Sequence, residues 1–586
     1  MRTFEVWAPD ADGVTLVVNP TPEDPAGEVE EPMRSAGRGW WAADILAAGH
    51  DTAYGFRLNG SAQVYPDPRS RRHPDGVHGR SRVVDPATFV WSDDQWRGRP
   101  LAGSVLYELH VGTFTTAGTF AAAAEKLGYL VDLGIDAVEL LPVAAFAGSR
   151  NWGYDGVDLY AVTEAYGGPA ELARFVDEAH RHGIAVVLDV VYNHLGPSGN
   201  YLPLFGPYLG SAQNAWGQGV NLDSPGSDEV RRFIVDNALM WFRDYHLDGL
   251  RLDAVHALVD TRAIHLLEQL ATEVDALGAA LGRDLWLIAE SDLNDPRLIR
   301  DRQAYGYGLS AQWDDDVHHA LHSALTGERQ GYYVDFGSLA TLGKAFTDAY
   351  VHDGTWSTFR ERSHGRPAGD LPGHRFVAYL QDHDQIGNRA QGDRLSQLVS
   401  PGLLKVGAAL MLCGPYVPML FMGEEWGAST PWQFFCDPDS EELANAIREG
   451  RRAEFASHGW SAVDVPDPVD EQTFRRSQLN WAERETGWHA ELFAWYPTLI
   501  ALRRSEPELT DGRRDRVAIS YDEDQRWFVL RRGSVLVAAN LGDQRIEVPV
   551  TGTPIALLAA SEPGFVYAAD SVVLDGESVV VLRVTD

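Results

Sequence analysis

Apolar and polar positions alternate in short runs over the first ninety residues: FEVWAP (4–9), VTLVV (14–18), GWWAADI (39–45) and TAYGFRL (52–58), separated by Pro, Gly and Asp turns. A period of two predicts half-buried strands, and strands this short and closely spaced predict an antiparallel β-sandwich over 1–90. YPDPRSRRHPDGVHGRS (65–81) is rich in Pro, Gly and Arg and reads as an ordered loop or linker. From about residue 100 the rhythm changes. Apolar runs now alternate with helical patterns: SVLYELHV (104–111), DAVELLP (136–142), IAVVLDVV (184–191), DGLRLDAV (248–255), LWLIAES (285–291), GLSAQW (308–313), RFVAYLQD (375–382) and VPMLFMGEE (417–425). Between most of them lie helix candidates such as ELARFVDEAHRHG (171–183), which stops on Gly183. Eight such strands with crossover helices predict an α/β fold, a (β/α)8 barrel with loop insertions over 91–510. WYPTLIALRRSEPEL (495–509) would close it. RVAISYDEDQRWFVLRRGSVLVAANL (516–541) and the tail return to strands and turns, predicting a C-terminal antiparallel β domain over 511–586.

Composition narrows the partners. With 84 acidic against 49 basic residues the chain carries −35, which argues against nucleic acid or an anionic membrane surface and suits a neutral ligand. The 18 Trp and 21 Tyr suit a ligand with flat apolar faces and polar edges, such as a sugar, although large cores also use them. Cys413 and Cys436 suggest neither a disulfide framework nor a zinc site. MRTFEVWAPD has no basic segment followed by an apolar one, and no window approaches a membrane span, so a cytoplasmic location is expected. Lys occurs only at 126, 344 and 405, which weakens a Schiff-base mechanism.

Candidate chemistry gathers at strand ends. In DGLRLDAVHAL (248–258), Arg251 and Asp253 share a face, so the guanidinium would hold the carboxylate ionised. That pair is either a nucleophile with its support or an ordinary ion pair. DVVYNH (189–194) brings Asp189, Asn193 and His194, LIAESD (287–292) brings Glu290, and QDHDQIGN (381–388) brings His383 and Asp384. A barrel gathers the C-terminal ends of its strands around one mouth. Three crowded acids split their proton affinities, leaving a protonated acid beside ionised carboxylates, the tools of glycoside hydrolysis.

Taken in order and spacing, DVVYNH, GLRLDAVH, IAES and the His-Asp block resemble the four ordered regions of the α-amylase superfamily (glycoside hydrolase family 13). The resemblance implies Asp253 as nucleophile, Glu290 as general acid/base and Asp384 as transition-state stabiliser. It implies Arg251, His194 and His383 around the sugar subsite, and Tyr154 in NWGYD (151–155) stacking beneath the ring. Asp382 departs from the family's usual Asn before His-Asp, which puts substrate contacts in question there. PDPRSRRHPDGVHGRS, LYELHVGTFT, VYNHLGPSGNYL, LFMGEEWGASTPWQFF and FRRSQLNW look most like the maltooligosyltrehalose trehalohydrolases. That likeness implies maltooligosyltrehalose and related α-glucans as substrates and trehalose as product. A branching enzyme is the alternative. Two further classes stand beside these, a metal-dependent barrel hydrolase using His194 and His383 and a catalytically silent glycan binder. Retention of configuration is expected, with the two reacting carboxyls about 5–5.5 Å apart.

Trp216, Trp313, Trp426 and Trp432 could stack on glucose faces, and core packing explains each as well. Asp314, Asp315 and Asp316 read as a helix start, with His318, His319 and His322 following. No spacing matches a calcium loop, and Asn193, a calcium ligand in many α-amylases, reads as structural here. No metal and no cofactor are expected.

Overall fold

The computed structural model describes residues 1–21, 27–46, 48–214, 217–457, 465–568 and 570–585. Eight parallel strands close into a barrel: β1 (Leu106–Leu109), β2 (Ala137–Leu140), β3 (Ala185–Val190), β4 (Gly249–Leu252), β5 (Trp286–Ala289), β6 (Ala311–Trp313), β7 (Phe376–Tyr379) and β8 (Val417–Phe421). Each core sits inside its apolar run, because the flanking residues already turn toward the mouth or the base. β8 pairs back onto β1, Met419 opposite Leu106, so no edge remains.

Period-two alternation sorts the side chains into two cores. Leu106, Ala137, Ala185, Val187, Trp286, Ile288, Trp313, Val377, Tyr379, Val417 and Met419 fill the barrel interior. Their neighbours in sequence, among them Tyr107, Val138, Leu188, Leu250, Leu287 and Leu420, face the surrounding helices. Helices Gly168–Arg181, Ser227–Asp244, Leu266–Leu281, Asp315–Thr326, Leu339–Asp348 and Pro401–Leu412 supply most crossovers. The β5–β6 connection departs from the expected rhythm, with only short turns at Pro296–Leu298 and Arg302–Ala304. The helix expected over 495–509 begins earlier, spanning Gly487–Ser505 with Pro497 inside it. No helix among the described residues is long and apolar enough to cross a membrane.

Strands Arg2–Trp7, Arg34–Gly37 and Trp40–Ile45 form one antiparallel sheet, and Val14–Asn19, Val29–Pro32, Ala53–Leu58 and Ser81–Arg82 another. The arginine-rich stretch between the last two of these strands is pinned to the barrel. Arg69 bonds Tyr160 and Asp236, both at 3.0 Å, and Arg72 bonds Glu164 at 2.8 Å.

The C-terminal five-stranded antiparallel sheet, running from Val517–Asp522 to Ser578–Val584, packs on the barrel helices. It also finishes two of them. The carboxylate of Glu523 accepts from the amides of Leu339 and Ala340 at 3.0 and 2.9 Å, the first residues of their helix. Glu577 accepts from Ser400, the N-cap of helix Pro401–Leu412. Acids at these positions satisfy otherwise unpaired donors and the helix dipole.

Candidate active site

A cavity of about 650 Å³ opens at the C-terminal ends of the barrel strands. Asp253, Glu290 and Asp384 all line it, together with Tyr154, His194 and Trp313. Three acids from distant strand ends thus surround one hollow.

Asp253 follows β4 directly and is fixed from both sides. Arg251 donates to Oδ1 at 2.9 Å, and the Asn193 side chain donates to Oδ2 at 2.7 Å. The same Arg251 nitrogen donates to Asp189 at 2.7 Å, which the register makes natural because Asp189 and Arg251 sit opposite each other on β3 and β4. Arg251 is wholly buried, and its guanidinium lies 4.3 Å from the centre of the Trp313 ring. Asn193 thus bonds Asp253 in this structure.

Glu290 closes β5. The chain turns at Ala254 through a left-handed conformation (φ 40°), uncommon for a residue with a Cβ. That turn lets the Ala254 amide donate to one Glu290 oxygen. Burial drives the Glu290 pKa well above the ordinary carboxylate range. Arg251 at 3.8 Å opposes the shift, while Asp253, Asp384 and Asp315 add to it. Glu290 thus faces the cavity in surroundings that favour its neutral form.

Asp384 is the most open of the three, with 41% of its side chain exposed. His383 beside it is almost fully buried, and both its ring nitrogens are engaged, by Glu108 at 2.5 Å and by the Tyr154 hydroxyl at 2.7 Å. Burial alone would lower the His383 pKa, but Asp384 and Glu108 raise it to about 10, so it carries charge. His383 and Arg251 thus act one layer beneath the cavity surface. Tyr154 stacks on His383 (5.1 Å, 16°), donates to Asp189 at 2.6 Å and presents its ring to the cavity. His194 lines the wall, with its ring nitrogens near the Asn193 side chain (2.5 Å) and the Tyr154 carbonyl (3.0 Å). Asp382 caps the turn His383–Gly387 by accepting from Gln385. Burial, Glu108 and Asp384 push its pKa far up. A neutral aspartic acid matches asparagine in charge and nearly in shape, so the departure noted from sequence is small.

The tryptophans divide. Trp313 forms part of the cavity floor, its ring against the Arg251 guanidinium. Trp426 corrects the sequence expectation. It is fully buried, packed 5.1 Å from Trp481 and away from the cavity, because the turn after β8 folds it inward. Trp432 is likewise core, stacked on Trp152 at 5.0 Å, and it is Trp152 that reaches the cavity. Trp216 lies outside the described residues. Asp314 caps helix Asp315–Thr326 as expected, but Asp315 also lines the cavity, its pKa pushed up to about 7 by burial against the opposing bond from Tyr379. Sequence reasoning missed Asp315, Asp292 and Arg360 on the wall, the last two bonded at 2.9 Å. It also missed Glu108, whose only signal is an acid at an inward position of an apolar strand. Among the described residues no group of three or more His, Cys, Asp or Glu side chains is arranged to hold a metal ion.

The alpha amylase catalytic domain family matches residues 63–203, and a domain of unknown function, DUF3459, matches 512–581. A malto-oligosyltrehalose trehalohydrolase from Mycobacterium tuberculosis is 54% identical, covering 100% of both chains. One of the same name from Arthrobacter ramosus is 55% identical over 99% of each. A Salmonella typhimurium crystal structure, provisionally named an alpha amylase, superposes with a TM-score of 0.89 at 37% identity, covering 99% of this chain and 97% of that one. A 1,4-alpha-glucan branching enzyme from Frankia casuarinae is 28% identical and covers 76% of this chain.

Proposed function

The chain belongs to the malto-oligosyltrehalose trehalohydrolases, and from that premise we propose how its cleft performs the reaction. It is a glycoside hydrolase that cuts the α-1,4 bond next to the terminal trehalosyl unit of maltooligosyltrehalose, releasing trehalose and a maltooligosaccharide. Asp253 attacks the anomeric carbon while Glu290 gives its proton to the departing glycosidic oxygen, so trehalose leaves. Water then attacks the glycosyl ester and loses a proton to Glu290, which frees the glucan with retained configuration. Asp384 faces the sugar and stabilises positive charge as it develops. Tyr154 stacks beneath the ring, with His194 bonding its hydroxyls. Arg251 and His383 hold Asp253 and Tyr154 in place.

The observation carrying this reading is the contrast between two neighbouring carboxyls. Glu290 is driven to its neutral form by burial, whereas both oxygens of Asp253 accept hydrogen bonds from Arg251 and Asn193. One environment suits a proton donor and the other an anionic nucleophile. Hydrolysis rather than chain transfer is supported by identity over the whole chain, against the partial likeness to the branching enzyme. The same reading takes 1–90, 91–510 and 511–586 as the sandwich, barrel and C-terminal units and puts the enzyme in the cytoplasm, in keeping with two buried free cysteines. Its acidity suits neutral glucans and not nucleic acid. Incubation with maltooligosyltrehalose and, separately, amylose tests it. Free trehalose from the first with little change in the second is expected, and α-1,6 branches in amylose would overturn it.

A further inference from the structure

The layer of the barrel interior directly beneath the cavity is polar. Glu139 on β2 lies two residues beyond Ala137, an interior residue, and so points inward as well. It is 1% exposed, and neither carboxyl oxygen has a hydrogen-bond partner among the protein groups. On the next strand, Asp189 Oδ1 is in the same position, and on the strand after that so is Arg251 Nε. Buried polar atoms are rarely left so, and here they gather on three adjacent strands, with Arg251 opposite Asp189 in register and Glu139 opposite Val187, the inward residue two before Asp189. Opposite Glu139 in register, Glu108 bonds His383 through both oxygens and makes no bond to Glu139.

We propose that Glu139 is a positioning residue for the cleavage reaction: through water enclosed in the barrel it completes the hydrogen bonding of Asp189 and Arg251, and so fixes the arginine that orients Asp253. Glu139 touches no reacting atom. Burial, followed by repulsion from Glu108, raises its pKa well above the usual range, and Arg251 does not reverse this. Asp189 also disfavours its charge and His383 favours it, which completes the set of charged groups facing it. A neutral acid offers one donor and one acceptor. Water bridging it to an aspartate oxygen and an arginine N–H would leave each of them satisfied.

The inference rests on the hydrolytic role proposed above, and its test separates the two. A crystal structure of the wild-type protein should show water within hydrogen-bonding distance of Glu139 and of Asp189 or Arg251. Dry packing, or a direct bond from Glu139 to either, would overturn the inference whatever the activity. In trehalose-release assays, E139Q should keep kcat within about threefold and leave the pH profile unmoved. E139L should lower kcat by about 10- to 100-fold at similar KM. An E139L enzyme of normal kcat, or an E139Q enzyme with a shifted acid limb, would refute it, and E139Q with the crystal structure decides if E139L does not fold. Wild-type protein that releases no trehalose sinks the hydrolytic reading and leaves the crystallographic result standing.

Discussion

Replacing Arg251 with lysine tests the centre of the site, because the two side chains share a charge and differ in shape. One guanidinium nitrogen of Arg251 bonds both Asp189 and Asp253, the other lies 3.8 Å from Glu290, and the plane covers Trp313. An ammonium on a flexible stem can keep one carboxylate in good geometry and has no flat face for the indole. One buried charge-assisted bond is lost, at about 1.5–3 kcal/mol, along with a desolvated cation–π contact of up to about 2 kcal/mol. The sum is about 1.5–5 kcal/mol of stability. Asp253 then keeps only Asn193 as a side-chain donor, and a carboxylate free to swing by about 1 Å loses about 100-fold in kcat. Urea unfolding followed by tryptophan fluorescence reads the first number, and trehalose release at saturating substrate reads the second. R251K with an unchanged midpoint and kcat within about threefold of wild type would refute the bridging role.

Asp253→Asn and Glu290→Gln should each lower kcat by several decades while leaving the far-ultraviolet spectrum intact, since both are near-isosteric changes in side chains that line the cavity; near-normal turnover in either removes that residue's assignment. Glu424 is buried, accepts a bond from Tyr496, and has its pKa pushed up to about 8 from 4.5, chiefly by burial. Its neutral form is favoured in the folded state, so this stability is complete below about pH 4.5 and is lost as pH rises toward 8. E424Q should therefore flatten the fall of Tm between pH 5 and 8, and an unchanged slope would show the group is not titrating there. At the base of the barrel, His180 bridges Asp93 at 2.8 Å and Asp248 at 2.9 Å. Burial lowers the His180 pKa, but the two aspartates outweigh it and hold the ring protonated. H180Q leaves buried Asp248 without its cation and should cost about 3–5 kcal/mol in urea unfolding while kcat stays within twofold; full stability would contradict the ion pairs.

The parts legible in the sequence were those with a local cause. All eight barrel strands lie within apolar runs read from the chain, because alternation and length were enough to mark them. Asp253, Glu290 and Asp384 could be read because acids within a few residues of strand C-termini have one common destination in a barrel. Asp314 was readable as a helix cap because its bond to the Val317 amide spans only three residues. Trp426 and Trp432 were not, since whether an aromatic beyond a strand turns to solvent or to the core depends on helices distant in sequence. Glu108 and Glu139 hid in plain runs, YEL and VEL, where a lone acid is outvoted by its apolar neighbours. Their meaning exists only once β1 and β2 lie side by side.

The two glutamates that the tail lends to helices beginning at Leu339 and Pro401 make this chain hard to shorten. A protease nick or a recombination event near residue 510 would strip the amides of Leu339 and Ala340, and the hydroxyl of the Ser400 cap, of their acceptors at the starts of two barrel helices. Evolutionary exchange of such tails between glucan-processing enzymes must therefore carry matching acids with it, or leave the recipient barrel frayed where those two helices begin.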